Sequence, residues 1–207
     1  MMKLIDISIP IRPSLAVWPG DTCFDLQWNS RIANGAAVNL GSVTMSIHTG
    51  SHADAPQHYL ADGVSIDRCE LDPYLGQALV VDLSGARQIK VSDLQGFDLS
   101  QTPRVLFKTL GWTDYNRFPD RIPVMERDVP SYLQTCGVVL VGVDVPSVDE
   151  IESKDLPNHR QLGAAGISIL ESLRLNDVAA GVYELIALPL TLVGADGSPV
   201  RAVLREA

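Results

Sequence analysis

Apolar and polar residues in this chain fall mostly into short blocks of strand length, and only seldom into the longer rhythm of an amphipathic helix. Strand candidates recur at residues 4–9, 43–47, 78–83, 104–108, 138–143, 167–170, 182–188 and 200–204. A-L-V-V-D-L at 78–83 and V-V-L-V-G-V at 138–143 have the continuous Val and Leu character of strands covered on both faces. S-V-T-M-S-I at 42–47 instead alternates, as a half-buried strand does. Helical signals are fewer. Residues 130–136 are opened by Asp128 and Pro130 and closed by Gly137; residues 157–165 carry Pro157 at an early position and Gly163 as a weak point. A short helix is expected near 92–96. No repeat, low-complexity tract or Pro/Ser-rich linker divides the chain. Strands outnumbering helices predicts the α/β class: one domain over 1–207, with a mixed, partly barrel-like β-sheet flanked by a few helices.

Composition narrows the classes of function. With 207 residues, 46% hydrophobic and 20% charged, the chain can bury a sizeable core without disulfides, as soluble enzymes do. A net charge of -9 with no basic run argues against a nucleic-acid partner. The start, from Met1 and Met2 through Lys3, is followed by no long apolar stretch. It therefore reads as neither a secretory signal nor a membrane span, and predicts a cytoplasmic protein. Cys23, Cys69 and Cys136 are scattered without C-x-x-C spacing, as reduced thiols in a cytosol are, and none has a histidine close by in sequence.

The chemistry concentrates in residues 48–58, H-T-G-S-H-A-D-A-P-Q-H, which hold three of the four histidines and Asp54. Imidazole nitrogen and carboxylate oxygen are the donors that zinc-type divalent metals take. The spacing of His48 and His52 would suit one helical face, but Gly50 and Pro56 interrupt a helix there. His48 is therefore expected at the end of the 43–47 strand, with His52, Asp54 and His58 on an ordered loop. A histidine-rich surface loop is the bland alternative, and an ordinary loop has no need of this donor set. His159, and Glu171 at the end of an apolar run, are each by themselves ordinary surface residues. Trp18, on a Pro-Gly turn, could stack on an aromatic substrate, cover a core edge or fill an interface. Asp144, Pro146 and Ser147 read as a turn or as support for a site, and Arg201 as a substrate contact or an exposed ion pair.

Residues 48–58 resemble the H-x-G-x-H-x-D-x-P-x-H signature of the metal-dependent cyclase-like hydrolases. Further blocks lie in order along the chain: I-D-I-S at Ile5, V-W-P-G-D-T at Val17, Y-L-G at Tyr74, G-V-D-V-P-S-V-D at Gly142, S-K-D-L-P-N-H at Ser153, I-L-E at Ile169, Y-E-L-I-A-L-P-L at Tyr183 and G-S-P-V-R-A-V-L-R at Gly197. They narrow the resemblance to the bacterial kynurenine formamidases of that family. The resemblance implies a swivelling β/β/α type of fold, a homodimer and two zinc ions per subunit. His48, His52 and Asp54 would hold one ion and Asp54, His159 and Glu171 the other, with Asp54 bridging. His58 would stay off the metals as general acid/base, and Trp18 would line the substrate pocket. The segment 87–127 is the least recognisable and could alter substrate fit.

The activity so implied is arylformamidase: hydrolysis of N-formyl-L-kynurenine to L-kynurenine and formate in tryptophan degradation. A two-zinc-activated hydroxide would attack the formyl carbon while a histidine moves the proton. Imidazole, titrating near 6.5, suits that proton transfer. Three rivals stand beside it. A serine hydrolase would need a nucleophile elbow, and the chain has no G-x-S-x-G. A relative acting on another small amide, cyclic amide or lactone would keep the same metals. A non-catalytic metal- or small-molecule-binding module would use the site for structure, although structural zinc is normally closed by four protein ligands.

Overall fold

A computed structural model describes residues 3–206; Met1 and Met2, on which the reading of the N-terminus partly rests, lie outside them. In chain order the strands are β1 (Leu4–Asp6), β2 (Asp25–Ser30), β3 (Leu40–Thr44), β4 (His52–Asp54), β5 (Leu75–Asp82), β6 (Gln88–Ile89), β7 (Arg104–Lys108), β8 (Val124–Met125), β9 (Leu140–Val143), β10 (Ser168–Glu171), β11 (Gly181–Ile186), β12 (Gly197–Pro199) and β13 (Val203–Glu206). Helix α1 (Val129–Thr135) precedes β9, and α2 (Pro157–Ala164) precedes β10.

Nine strands form one sheet in the order β1-β13-β11-β5-β7-β9-β10-β4-β12. Its centre, β5-β7-β9-β10, is parallel, and both flanks are antiparallel. This is the expected α/β domain, its mixed sheet curled into a half-barrel. Alternation along the central strands sorts their side chains into two cores. Leu79, Val81, Val105, Phe107, Val141 and Ile169 face the helices, where Leu133 of α1 and Leu162 of α2 cover them. Ala78, Val80, Leu106, Leu140 and Leu170 face the inside of the curl, against Leu185 and Leu204. Each such aliphatic side chain stabilises the fold by roughly 1.5–3 kcal/mol when fully buried.

Both helices form where their punctuation places them. α1 has Pro130 in its first turn and stops before Gly137, whose φ of 76° is left-handed. α2 starts at Pro157. Three expectations are corrected. The 42–47 alternation marks no half-buried strand of the main sheet: β3 pairs only with β2 in a separate hairpin, and all of its residues are exposed. Alternation reports that one face is apolar, not what covers that face. Residues 92–96 make only a 3-10 turn, at Val91–Asp93. His52 and Asp54 lie on β4 rather than a loop, and His58 closes the 3-10 turn Pro56–His58. Gly50 and Pro56 had marked both ends of β4, but a three-residue strand is too short to show a period.

Candidate metal centre

β4 carries the site because it is buried between β10 and β12. Ala53 points into the inner core, so His52 and Asp54 project together toward the helix side. Glu171, which ends β10, is the register partner of His52, and the pairing sets carboxylate beside imidazole. α2 brings His159 over both strands. His48 comes from the turn before β4, four residues past the end of β3 rather than at the expected strand end. Gly197 leaves room for its ring: a Cβ there would lie 2.9 Å from His48 Cε1.

The two oxygens of Asp54 face different partners. Oδ1 lies 3.1 Å from His48 Nδ1 and 3.3 Å from His52 Nε2, while Oδ2 lies 3.4 Å from His159 Nε2. Glu171 spans the gap, its Oε2 3.4 Å from His52 Nε2 and its Oε1 3.3 Å from His159 Nε2. Oε1 also accepts the Val148 N–H at 2.8 Å. All five residues expected as ligands are therefore brought together, across 124 positions of sequence from His48 to Glu171.

The remaining ring nitrogens are committed to outer partners, which settles which nitrogen faces inward. His52 Nδ1 donates to the Gly50 carbonyl at 2.8 Å, and Gly50 takes a φ of 70° to present it. His159 Nδ1 donates to Asp149 Oδ2 at 2.8 Å. The same Asp149 accepts the first backbone N–H groups of α2, from Asn158 at 2.9 Å and His159 at 3.0 Å, so one carboxylate caps the helix and turns the ring. His48 is the odd one: Nε2 lies 3.2 Å from Asp196 Oδ2, leaving Nδ1 for Asp54.

The electrostatics call for a cation. Burial disfavours charge on all of these groups, yet the hydrogen bonds of Asp54 and Glu171 push His52 up to about 10. Burial likewise opposes a charged His159, and Asp149, Asp54 and Glu171 push it up to about 12. His48 rises too, against burial, through Asp54. Burial alone would raise Asp54, but its three imidazole partners hold it well below the usual carboxylate range. Asp54 Oδ2 and His159 Nε2 are fully buried and have no partner with hydrogen-bond geometry. Buried polar atoms are normally satisfied. Two such atoms aimed at one space, within a set of imidazoles and carboxylates, fit a divalent metal.

His58 borders this cage at the rim. Its ring centroid is 4.3 Å from that of His48 and 5.8 Å from that of His159, and its Nδ1 lies 3.2 Å from Asp196 Oδ2. His48, Asp54 and His58 each offer a donor atom within 4.8 Å of the others, as do His52, Asp54 and Glu171. Trp18 sits on the expected turn, closed by Asp21 N–H to Trp18 C=O at 2.9 Å. Its described ring contact is edge-on to Phe118 at 5.3 Å, and no described contact joins it to the histidines. Arg201 makes an exposed pair with Asp6. Asp144 is buried and receives the N–H groups of Thr109 and Leu110. Burial raises the Cys69 thiol, against a nucleophilic role.

Sequence reasoning missed Asp149 and Asp196. Asp149 lies ten residues before His159, outside any local capping pattern, and Asp196 before Gly197 reads simply as a turn.

A curled mixed sheet with this donor set at its helix face is the arrangement of a metal-dependent hydrolase. The family model described as "Putative cyclase" matches residues 5–150, and the chain belongs to that family. It is 46% identical to a kynurenine formamidase of Geobacillus thermodenitrificans, over 100% of this chain and 99% of that one. A structure described as a predicted metal-dependent hydrolase from Bacillus stearothermophilus superposes with a TM-score of 0.84 at 29% identity, covering 100% of both chains. Isatin hydrolase A from Labrenzia aggregata, at 22% identity, TM-score 0.83 and coverage of 99% and 93%, shares the fold.

Proposed function

We propose that the protein is an arylformamidase that hydrolyses N-formyl-L-kynurenine to L-kynurenine and formate in tryptophan degradation. The full-length likeness to a kynurenine formamidase supports the substrate. The division of Asp54 between two sets of imidazoles is the observation that carries the metal reading. His48, His52 and Asp54 would hold one zinc ion, and Asp54, His159 and Glu171 a second. Bound zinc supplies Lewis acidity, which acidifies water and polarises a carbonyl.

The rest of the reaction falls to the chain. His58 lies beside the cage with a half-exposed ring, where it can take a proton from the attacking water and deliver it to the departing aniline nitrogen. That delivery matters because an anilide anion is a poor leaving group. Water adds across the C–N bond, so formyl carbon leaves as formate and nitrogen as the free amine. Trp18, beside Phe118, supplies an aromatic surface suited to an aniline ring.

The reading includes a cytoplasmic homodimer. No described helix is long and apolar enough to cross a membrane. The β2–β3 hairpin exposes Leu26, Trp28 and Val43 on one face, an apolar surface that a second copy would cover. Sedimentation equilibrium of the purified chain checks the dimer.

The test is formate release from N-formyl-L-kynurenine by protein stripped of metal and reloaded with zinc. His58→Ala should lose about 10²–10⁴-fold in kcat while keeping two zinc ions. Loss of a zinc ion with the ring would make His58 a ligand. No turnover by folded, zinc-loaded protein would overturn the formamidase reading in favour of another small amide.

A further inference from the structure

Asp196 joins the two rim histidines through a single atom. Its Oδ2 lies 3.2 Å from His58 Nδ1 and 3.2 Å from His48 Nε2. Its backbone is fixed: Asp196 C=O accepts the Ala55 N–H at 2.9 Å, and Gly197 after it pairs in register with Asp54. The carboxylate is 41% exposed, has no Lys or Arg partner among the described residues, and meets only the two rings. An acceptor held by the same ladder that carries Asp54 sets its distance to the cage without using a flexible loop tip.

We propose that Asp196 is the positioning residue for His58, which it holds as the Nδ1–H tautomer so that Nε2 is free for proton transfer to and from the substrate. A carboxylate oxygen can only accept, so each ring must turn an N–H toward it. For His58 that proton is on Nδ1. For His48 it is on Nε2, which leaves His48 Nδ1 directed at Asp54. One oxygen thus receives an N–H from each ring, tying the orientation of the acid/base ring to that of a cage ring. Without it, His58 could rotate and protonate at either nitrogen, and the fraction competent for proton transfer would fall.

The acid/base part of this inference rests on the formamidase reading, so the experiment has a readout that does not. The probes are zinc-loaded wild type, Asp196→Ala and Asp196→Asn. Ring ¹⁵N shifts give the His58 tautomer, metal analysis gives the zinc content, and formate release from N-formyl-L-kynurenine gives kcat and KM. Wild type should show Nδ1–H at His58. Asp196→Ala should lose that signature and about 10–100-fold in kcat, with KM within about twofold and two zinc ions retained. Asp196→Asn keeps an acceptor oxygen of the same reach and should recover most of the loss. An Nε2–H tautomer in wild type, an Asp196→Ala kcat within twofold of wild type, or a kcat that falls only as zinc is lost would overturn the proposal. If wild type does not release formate, the formamidase reading fails, and the tautomer comparison alone decides the role of Asp196.

Discussion

The site has a buried half and a rim half, and they are built differently. His52, Asp54, His159 and Glu171 are 2–4% exposed and stand on β4, α2 and β10. His48, His58 and Asp196 have side chains 18%, 32% and 41% exposed, and come from a turn, a 3-10 turn and the loop before β12. In the buried half every outward nitrogen or spare oxygen is tied to a backbone group or to Asp149, so the donors have little freedom to move. In the rim half a single side chain, Asp196, holds both rings. The dry half is suited to keeping a metal and the wet half to moving protons and admitting substrate.

The largest effect should follow from breaking the buried half at Asp54, the one residue that faces every ligand imidazole. Asp54→Asn removes an anionic oxygen from both sets. Zinc content should fall below two per chain, and formate release by on the order of 10³-fold or more, since a metal supplies several kcal/mol of transition-state stabilisation at tenfold per 1.36 kcal/mol. In the metal-free protein the substitution takes one carboxylate from imidazoles that keep Asp196, Glu171 and Asp149 as partners, a loss of roughly 1.5–3 kcal/mol of stability. Metal analysis and urea unfolding measure both. Full zinc occupancy with activity within tenfold of wild type would remove Asp54 from the centre of the site.

This division also explains what the sequence could show. His48, His52, Asp54 and His58 stood out because their chemical types are unusual at that density and their spacing matches a family signature, whereas His159 and Glu171 read alone as surface residues and joined the set only through the resemblance. The two cores were legible in the Val and Leu blocks of β5, β7 and β9. What stayed hidden depends on tertiary contacts. Nothing local distinguishes Asp149 from any carboxylate after a strand, or Asp196 from a turn residue. β12 and β4 are too short for a period, and the β2–β3 hairpin shows an alternation that would look the same against a core or in solvent.

A smaller and more selective change should come from Asp149→Asn, which touches no inward donor. Asn can still cap α2 through its oxygen, but the charge behind His159 is gone. Affinity for the zinc ion held with His159 should weaken about 10–100-fold, while the one held by His48 and His52 keeps its affinity. Stepwise competition with a chelator would resolve the two ions. Equal weakening of both would mean that the cage behaves as a single unit.

A pH slope separates the halves without a mutation. In the metal-free protein His52 is pushed up to about 10 and His159 to about 12, whereas unfolded histidine titrates near 6.5. The folded state then binds more protons than the unfolded state above pH 6.5, so stability falls as pH rises. The contribution is complete below about 6.5 and is lost as pH climbs through the folded values. Zinc held by the inward nitrogens would take the place of their protons, while the outer protons stay on His52 Nδ1 and His159 Nδ1, donated to Gly50 and Asp149. Metal-stripped protein should therefore lose Tm steadily between about pH 7 and 10, and zinc-loaded protein should lose much less. Zinc binding at pH 7 should also release protons, seen as a calorimetric enthalpy that varies with the ionisation enthalpy of the buffer. A buffer-independent enthalpy would mean that the inward nitrogens are already unprotonated, and that the buried carboxylates are balanced by something other than the histidines.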